Sequence, residues 1–330
     1  MQKISFLGCG SWGGALGHLA SKNGYNVLMW HRNSEVVEQM TKSRSHYILP
    51  QMIFGDLVEF TDNLEKTVSY ADIIVLSTPS QTVRRVLEKC ESINKNKIIV
   101  NIAKGIETKT LMTVSDIIID VTGINYSNIV TLSGPSHAEE VISGFPTTLV
   151  SASKNRDAAM RIQKIFSNAN MRIYSSSDIR GVELGGAMKN VIAIAAGISD
   201  GIGYGDNSKA ALMTRGIREI ARLGNAMGAE SDTFSGLSGI GDLIVTCLSR
   251  HSRNRKVGQK IGEGEILKNI LSEMQMVAEG VETAKSLHRL IEKYGVEMPI
   301  SEAIYQILFH NADPKDSVYR LMTRELSSEL

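Results

Sequence analysis

Apolar residues are distributed in two ways along the chain. In the first half they come as short unbroken runs rich in Ile and Val: Ile4–Leu7, Val27–Trp30, Ile73–Ser77, Ile98–Ile102 and Ile129–Ser133. Runs that do not alternate with polar residues predict strands buried on both faces, as in a parallel sheet. Helix signals lie between them. Asp62 with Glu65 predicts a capping box, and Pro79-Ser80 opens a helix running toward Glu91. Strands separated by helices predict a doubly wound α/β domain. Pro146–Ser153 and Arg172–Ser175 predict two further strands at the sheet edge. From about Asp178 long helical patterns take over, at Val182–Gly197, Ser208–Met227, Val281–Tyr294 and Ser301–Phe309. There is no internal repeat and no low-complexity linker. The expectation is an α/β domain over 1–177 and an all-α domain over 178–330.

Composition narrows this picture a little. The chain has 330 residues, 42% of them hydrophobic and 22% charged, which is ordinary for a globular protein of about two domains. Its net charge of +1 creates no general attraction to nucleic acid or to a membrane surface, so residues that hold an anion must do so locally. Cys9, Cys90 and Cys247 are far apart and form no CxxC pair, as expected of free thiols in a reducing compartment. The apolar run after Lys3 ends in a glycine loop, too short for a signal peptide. No apolar stretch reaches the roughly 18 residues of a membrane span, so a cytoplasmic protein is expected. His18, His46, His251, His288 and His310 show no ligand spacing, and no metal is expected.

The candidate chemistry begins at Gly8-Cys9-Gly10-Ser11-Trp12-Gly13. A GxGxxG triplet alone also serves ordinary turns. Here it follows a strand and opens a helical segment, which is the context of a Rossmann-type dinucleotide fingerprint. Gly8 would permit the tight turn, Gly10 the approach of a pyrophosphate, and Gly13 the packing of helix on strand. The helix N-terminus offers free N–H groups to phosphate. The second strand ends in His31-Arg32-Asn33 where an NAD enzyme usually places an acidic residue for the ribose hydroxyls. Arg32 can pair with a 2′-phosphate or stack on adenine, so NADP(H) is favoured and NAD(H) remains open. Lys189 is the single charge on the helical face 185, 186, 189, 192, 193 and 196. It is either a lysine snorkelling at a helix end or a partly desolvated acid–base group in a cleft. Lys104 follows the strand at 98–102, at the carboxyl edge where open α/β sheets bind ligands.

Several stretches together resemble the bacterial NAD(P)-dependent glycerol-3-phosphate dehydrogenase family. They are Gly8–Gly13, Ala103-Lys104-Gly105, Gly134–Glu140, Lys189-Asn190, Gly236–Asn254, Val277–Val281 and Met298-Pro299-Ile300, in family order along the whole chain. The most specific is GLSGIGDLIVTC followed by SRHSRN. The chain departs from the family pattern at Gly14, Gly17 and His137, where Thr, Ala and Phe are common; the two glycines should weaken their helix by about 1 kcal/mol each relative to Ala.

The resemblance implies reduction of dihydroxyacetone phosphate to sn-glycerol 3-phosphate for phospholipid synthesis, with Lys189 as proton donor and acceptor. It places Lys104 between nicotinamide and substrate, and Asp242 on a substrate hydroxyl or behind Lys189. Ser252, Arg253 and Asn254 would bind the substrate phosphate, beside Arg250 and Arg255, with Gly134 and Ser136 completing that site. Cofactor contacts would come from Gly8, Gly10, Ser11, Trp12, Gly13, His31, Arg32, Lys104, Ala138, Arg253, Val277 and Glu279. A homodimer is compatible with it. Two alternatives share the fingerprint: a dehydrogenase of 6-phosphogluconate or 3-hydroxyacyl-CoA type, and a non-catalytic NADPH-binding sensor. The Ser252-Arg253-Asn254 segment speaks against the first, and the lysines at 104 and 189 against the second.

Overall fold

The computed structural model describes residues 2–91, 93–274, 276–326 and 328. Eight strands form one sheet: β1 Lys3–Leu7, β2 Asn26–Trp30, β3 Val58–Thr61, β4 Ile73–Leu76, β5 Ile98–Asn101, β6 Ile129–Ser133, β7 Thr147–Ala152 and β8 Met171–Ser176. Their order is β3-β2-β1-β4-β5-β6-β7-β8. All neighbours are parallel except β6 and β7. The helices among the strands are α1 Ser11–Lys22, α2 Ser34–Ser43, α3 Leu64–Tyr70, α4 Val83–Leu87, α5 Val114–Thr122, α6 Ala138–Ile142 and α7 Arg156–Phe166. The chain winds from β1 outward to β3, then returns to start β4 on the other side of β1. That reversal opens a crevice at the carboxyl ends of β1 and β4, which is the doubly wound arrangement.

The predicted central strands are observed, and β4, β5 and β6 are buried along their whole length. Four points depart from the pattern read in the sequence. β3 has no counterpart in the pattern, because an edge strand buried only at its two ends (Val58 and Thr61, around the exposed Glu59) carries no unbroken apolar run. Of the two late strands only β8 is an edge; β7 is covered on both sides. The capping box at Asp62 and Glu65 is not formed. Asn63 caps α3 instead, accepting from Lys66 N–H at 2.8 Å, while the Asp62 carbonyl accepts from the Trp30 indole and Glu65 accepts from Glu91 N–H. The helix after Pro79 begins as a 3₁₀ turn and ends at Leu87, short of Glu91.

From Ile179 onward the structure is helical: α8 Ile179–Ile202, α9 Asp206–Ala226, α10 Asp242–Leu248, α11 Arg253–Gly262, α12 Leu267–Glu273, α13 Glu279–Tyr294, α14 Pro299–His310 and α15 Pro314–Met322. Asp178 starts α8 by accepting from Gly181 N–H at 2.9 Å, and its other oxygen accepts from Glu230 N–H and the Thr233 hydroxyl. Against the expectation that no stretch reaches the length of a membrane span, α8 is long and apolar enough to cross one by length and composition, but it is buried in the protein as the axis of the helical core and carries the buried Glu183 and Lys189. Lys189 therefore sits mid-helix, which removes the snorkelling alternative. Against α8 lies α11, backbone on backbone. A Cβ at Gly197 would stand 1.9 Å from the Arg255 carbonyl oxygen, and one at Gly258 2.0 Å from that of Ile194. Only glycine permits that approach, and it locks the start of α11 to the helix carrying Lys189. The glycines of α1 likewise fill a packing need: at Gly14 a Cβ would meet the His46 ring at 2.7 Å, and at Gly17 the Met29 methyl at 2.7 Å.

Candidate active site

A cleft of about 860 Å³ runs from the glycine loop, past the carboxyl ends of the strands, to the N-terminus of α11. At one end Gly8 turns the chain with φ +115°, a conformation costly for any side chain, and a Cβ at Gly13 would strike Ser77 beyond β4 at 2.7 Å. Gly10 has nothing within 4 Å of its Cβ position, so the loop backbone is open to the cleft. No side chain caps α1 and no acidic residue stands in its first turn. Its first N–H groups and its positive dipole end are thus left for an anion. The Trp12 indole N–H and the Thr78 hydroxyl, both in the cleft wall, are buried and have no hydrogen-bond partner among the described residues. These features fit a dinucleotide. His31 and the exposed Arg32 close this end, where the His31 ring tilts against Tyr47 at 5.1 Å and accepts from Asn33 N–H at 3.2 Å.

The middle of the cleft holds a buried cluster of charge. Lys189 Nζ donates to Asp242 Oδ1 at 2.5 Å and to the Thr246 hydroxyl at 2.7 Å. Lys104 Nζ donates to Asp242 Oδ2 at 2.7 Å and to the Gly134 carbonyl at 3.0 Å. Lys189 is 6% exposed and Asp242 1%, while the Lys104 side chain is 15% exposed, so a buried and a half-buried ammonium share one buried carboxylate. Burial pushes the Lys189 ammonium down to about 8, Asp242 pulls the other way, and Lys104 adds to the depression. Burial works to raise the Asp242 carboxyl, but the two lysines outweigh it and hold it below its ordinary range. The result is an amine that changes charge near physiological pH, aligned by a carboxylate that does not.

At the far end Ser252 caps α11 by accepting from Arg255 N–H at 3.2 Å, and Asn254 Oδ1 accepts from Gly280 N–H at 3.0 Å, fixing α11 to α13. Arg253 projects from the first turn and donates to the Val277 carbonyl at 3.0 Å. Arg255 turns away to pair with Asp200 on α8, and Arg250 does not line the cleft; neither joins the cluster the sequence suggested. Glu279 accepts from Ser80 N–H at 2.7 Å, a contact between the helical part and the sheet. Ser136 and Ala138 line the cleft. Gly134, at φ +140°, stands behind it, its carbonyl held by Lys104 and the Ser136 hydroxyl. Every expected site residue but Gly134 thus reaches one cavity.

Sequence reasoning missed Thr246, Tyr47 and Ile48 as wall residues. Thr246 was signalled by its place one turn after Asp242, whose carbonyl its hydroxyl also contacts at 2.6 Å. Tyr47 and Ile48 lie in an irregular segment without periodicity, and nothing local marks them.

The sheet order, the uncapped glycine-loop helix and the two lysines that share Asp242 define a class: nicotinamide-dependent dehydrogenases that join a Rossmann-type sheet to a helical domain. Within it, the N-terminal and C-terminal descriptions of NAD-dependent glycerol-3-phosphate dehydrogenase match residues 3–159 and 178–319. The chain belongs to that family. It is 47% identical to glycerol-3-phosphate dehydrogenase [NAD(P)+] of Fusobacterium nucleatum, covering 100% of this chain and 99% of the relative. To the Bacillus subtilis protein of the same name it is 45% identical, covering 100% and 96%. The crystal structure of glycerol-3-phosphate dehydrogenase from Coxiella burnetii superposes with a TM-score of 0.94 at 32% identity, covering 98% of this chain and 99% of that one.

Proposed function

We propose that this chain is an NAD(P)-dependent glycerol-3-phosphate dehydrogenase that interconverts dihydroxyacetone phosphate and sn-glycerol 3-phosphate. The single observation that carries the reading is the Lys104–Asp242–Lys189 cluster, placed between a dinucleotide-type loop and the N-terminus of α11. When bound, the nicotinamide supplies or accepts the hydride. Lys189 holds the proton: as ammonium it protonates the carbonyl oxygen in reduction, and as free amine it takes the hydroxyl proton in oxidation. Asp242 orients Lys189 through Oδ1 and Lys104 through Oδ2, and Lys104 adds positive charge near the developing alkoxide.

The substrate phosphate is assigned to Arg253, Ser252 and Asn254 at the α11 N-terminus, with Ser136 lining the same cleft. All three already hold a backbone partner, and Arg253 is the one that carries charge. Gly134 acts through its carbonyl, by fixing Lys104. The dinucleotide is assigned to the glycine loop with Ser11 and Trp12, to His31 and Arg32 at the adenosine end, and to Lys104, Ala138, Arg253, Val277 and Glu279 toward the nicotinamide. NADP(H) preference rests on Arg32. Residues 1–177 would be the dinucleotide-binding domain and 178–330 the substrate domain. Cytoplasmic location, assembly as a homodimer and a role in phospholipid synthesis belong to the same proposal. The test is direct: purified protein with dihydroxyacetone phosphate and NADPH should lose reduced-nicotinamide absorbance. Absence of turnover with either reduced cofactor would reject the activity.

A further inference from the structure

Glu183 lies on α8, six residues before Lys189, and the reaction as described makes no use of it. It is buried, and four donors converge on it: Asn101 Nδ2 at 2.8 Å, Ser115 N–H at 3.0 Å, the Thr131 hydroxyl at 3.2 Å and the Ser115 hydroxyl at 2.5 Å. They come from the end of β5, the start of α5 and the middle of β6. None of the four is a cation, so the hydrogen bonds that hold the carboxylate are neutral ones, with Arg180 on the same helix acting on it only through space. Burial pushes its carboxyl up, which makes four simultaneous bonds harder to account for as surface decoration.

The Asn101 contact leads to the active cluster. Asn101 Oδ1 accepts from Ala103 N–H at 2.9 Å, and so shapes the turn that presents Lys104. Lys104 runs along α8 past Gly186, where a Cβ would stand 3.6 Å from its Cγ, and then bonds Asp242. Asp242 bonds Lys189, back on α8. The path from Glu183 through Asn101, the 102–104 turn, Lys104 and Asp242 to Lys189 is therefore a closed circuit, with both ends on one rigid helix.

We propose that Glu183 is a positioning residue for the reaction, which through Asn101 fixes the turn at 102–104 so that Lys104 stays against Asp242 and beside Lys189. The inference rests on the reading of Lys189 as the acid–base group. Its signature is electrostatic. The charged and titratable groups acting on Lys189 are Asp242 at the start of α10, Lys104 from the turn after β5, His137 from the loop after β6 and Cys247 on α10. Releasing Lys104 removes a like charge and leaves Asp242 to Lys189 alone. Both changes raise the pH at which Lys189 titrates.

The experiment compares kcat against pH for wild type, Glu183→Ala, Glu183→Gln, Asn101→Ala and Lys189→Ala, with circular dichroism and reduced-cofactor binding as controls of fold. Glu183→Ala and Asn101→Ala should lower kcat by about tenfold or more, within what a misplaced group costs. They should also move the Lys189 limb upward by roughly half a unit or more. In Glu183→Gln the amide oxygen can keep the three bonds at Oε1, and its NH₂ can donate to the Ser115 hydroxyl, so kcat and limb should both return toward wild type. A folded Glu183→Ala with kcat within about twofold and an unmoved limb would overturn the proposal. So would a Gln variant as defective as Ala. If Glu183→Ala does not fold, Asn101→Ala decides, because there the carboxylate keeps its other three donors; an unmoved limb in that variant overturns the proposal. Wild-type turnover in Lys189→Ala would remove the acid–base reading and this proposal with it, and that failure is separately visible.

Discussion

Replacing Asp242 by Asn keeps the shape at the centre of the cleft and removes the charge that Lys104 and Lys189 share. The Asp242 carboxyl is held below its ordinary range, so it is ionised throughout neutral and alkaline pH in the wild type. Burial already brings the Lys189 ammonium down to about 8, with Asp242 opposing and Lys104 assisting. An opposite charge in direct contact typically shifts a group by about 1–3 units, so its loss should bring Lys189 to about 7 or below. The sign follows from the proposed chemistry. With Lys189 as the proton carrier, reduction needs the ammonium and slows as pH rises through the Lys189 value, while oxidation needs the free amine and accelerates through it. Both limbs should therefore move to lower pH in Asp242→Asn. At pH 7 the ammonium share falls from about nine-tenths to about half or less, which by itself costs reduction only about twofold. Misalignment of the amine adds a larger factor, of order 10²-fold. Initial rates of reduced-nicotinamide absorbance, in both directions across neutral to alkaline pH, separate the two effects: the limb reports charge and the plateau reports alignment. A limb that stays in place or moves upward would refute the assignment of Asp242 as the group that sustains the Lys189 charge.

Three further outcomes test the other parts of the site. Lys189→Ala should keep fold and cofactor affinity while turnover falls by about 10²–10⁴-fold; a loss of only a few-fold would take Lys189 out of the mechanism. Arg253→Ala should raise the KM for dihydroxyacetone phosphate strongly, with inorganic phosphate or sulfate competing at the same place in wild type, and an unchanged KM would remove the phosphate assignment. Arg32→Ala should weaken NADPH by about 1.5–3 kcal/mol and leave NADH nearly untouched if the guanidinium pairs with the 2′-phosphate. If it stacks on adenine, titrations of both cofactors should weaken together, and equal wild-type affinities would end the claim of NADP preference.

Much of the fold was legible because its signals are local. Continuous Ile/Val runs marked the buried strands, and the glycine loop announced both the first βα turn and the open helix N-terminus beyond it. Legibility failed where a neighbour made the choice. Asp62 and Asn63 are both good N-caps, and the contact of Trp30 with the Asp62 carbonyl accompanies capping by Asn63. β3 needed β2 to become a strand at all. Arg250 and Arg255 stood close to Arg253 in a basic segment, but in the fold Arg255 pairs with Asp200 on α8.

By itself, the sequence determined the residue types of the site and the short-range geometry around each: a loop that must contain glycine at φ +115°, a helix start without a cap, a lysine on an apolar helix, a serine positioned to cap α11. The tertiary structure decided what those residues do to one another. Lys104 and Asp242 are 138 positions apart and Asp242 and Lys189 are 53 apart, so no periodicity relates them. Their meeting depends on how the carboxyl ends of β5 and β6 dock on α8, and on glycine contacts that bring α8 and α11 to backbone distance. The lowered pKa of Lys189 exists only in that packed state, because it arises from the exclusion of water and from the charges packing brings beside it.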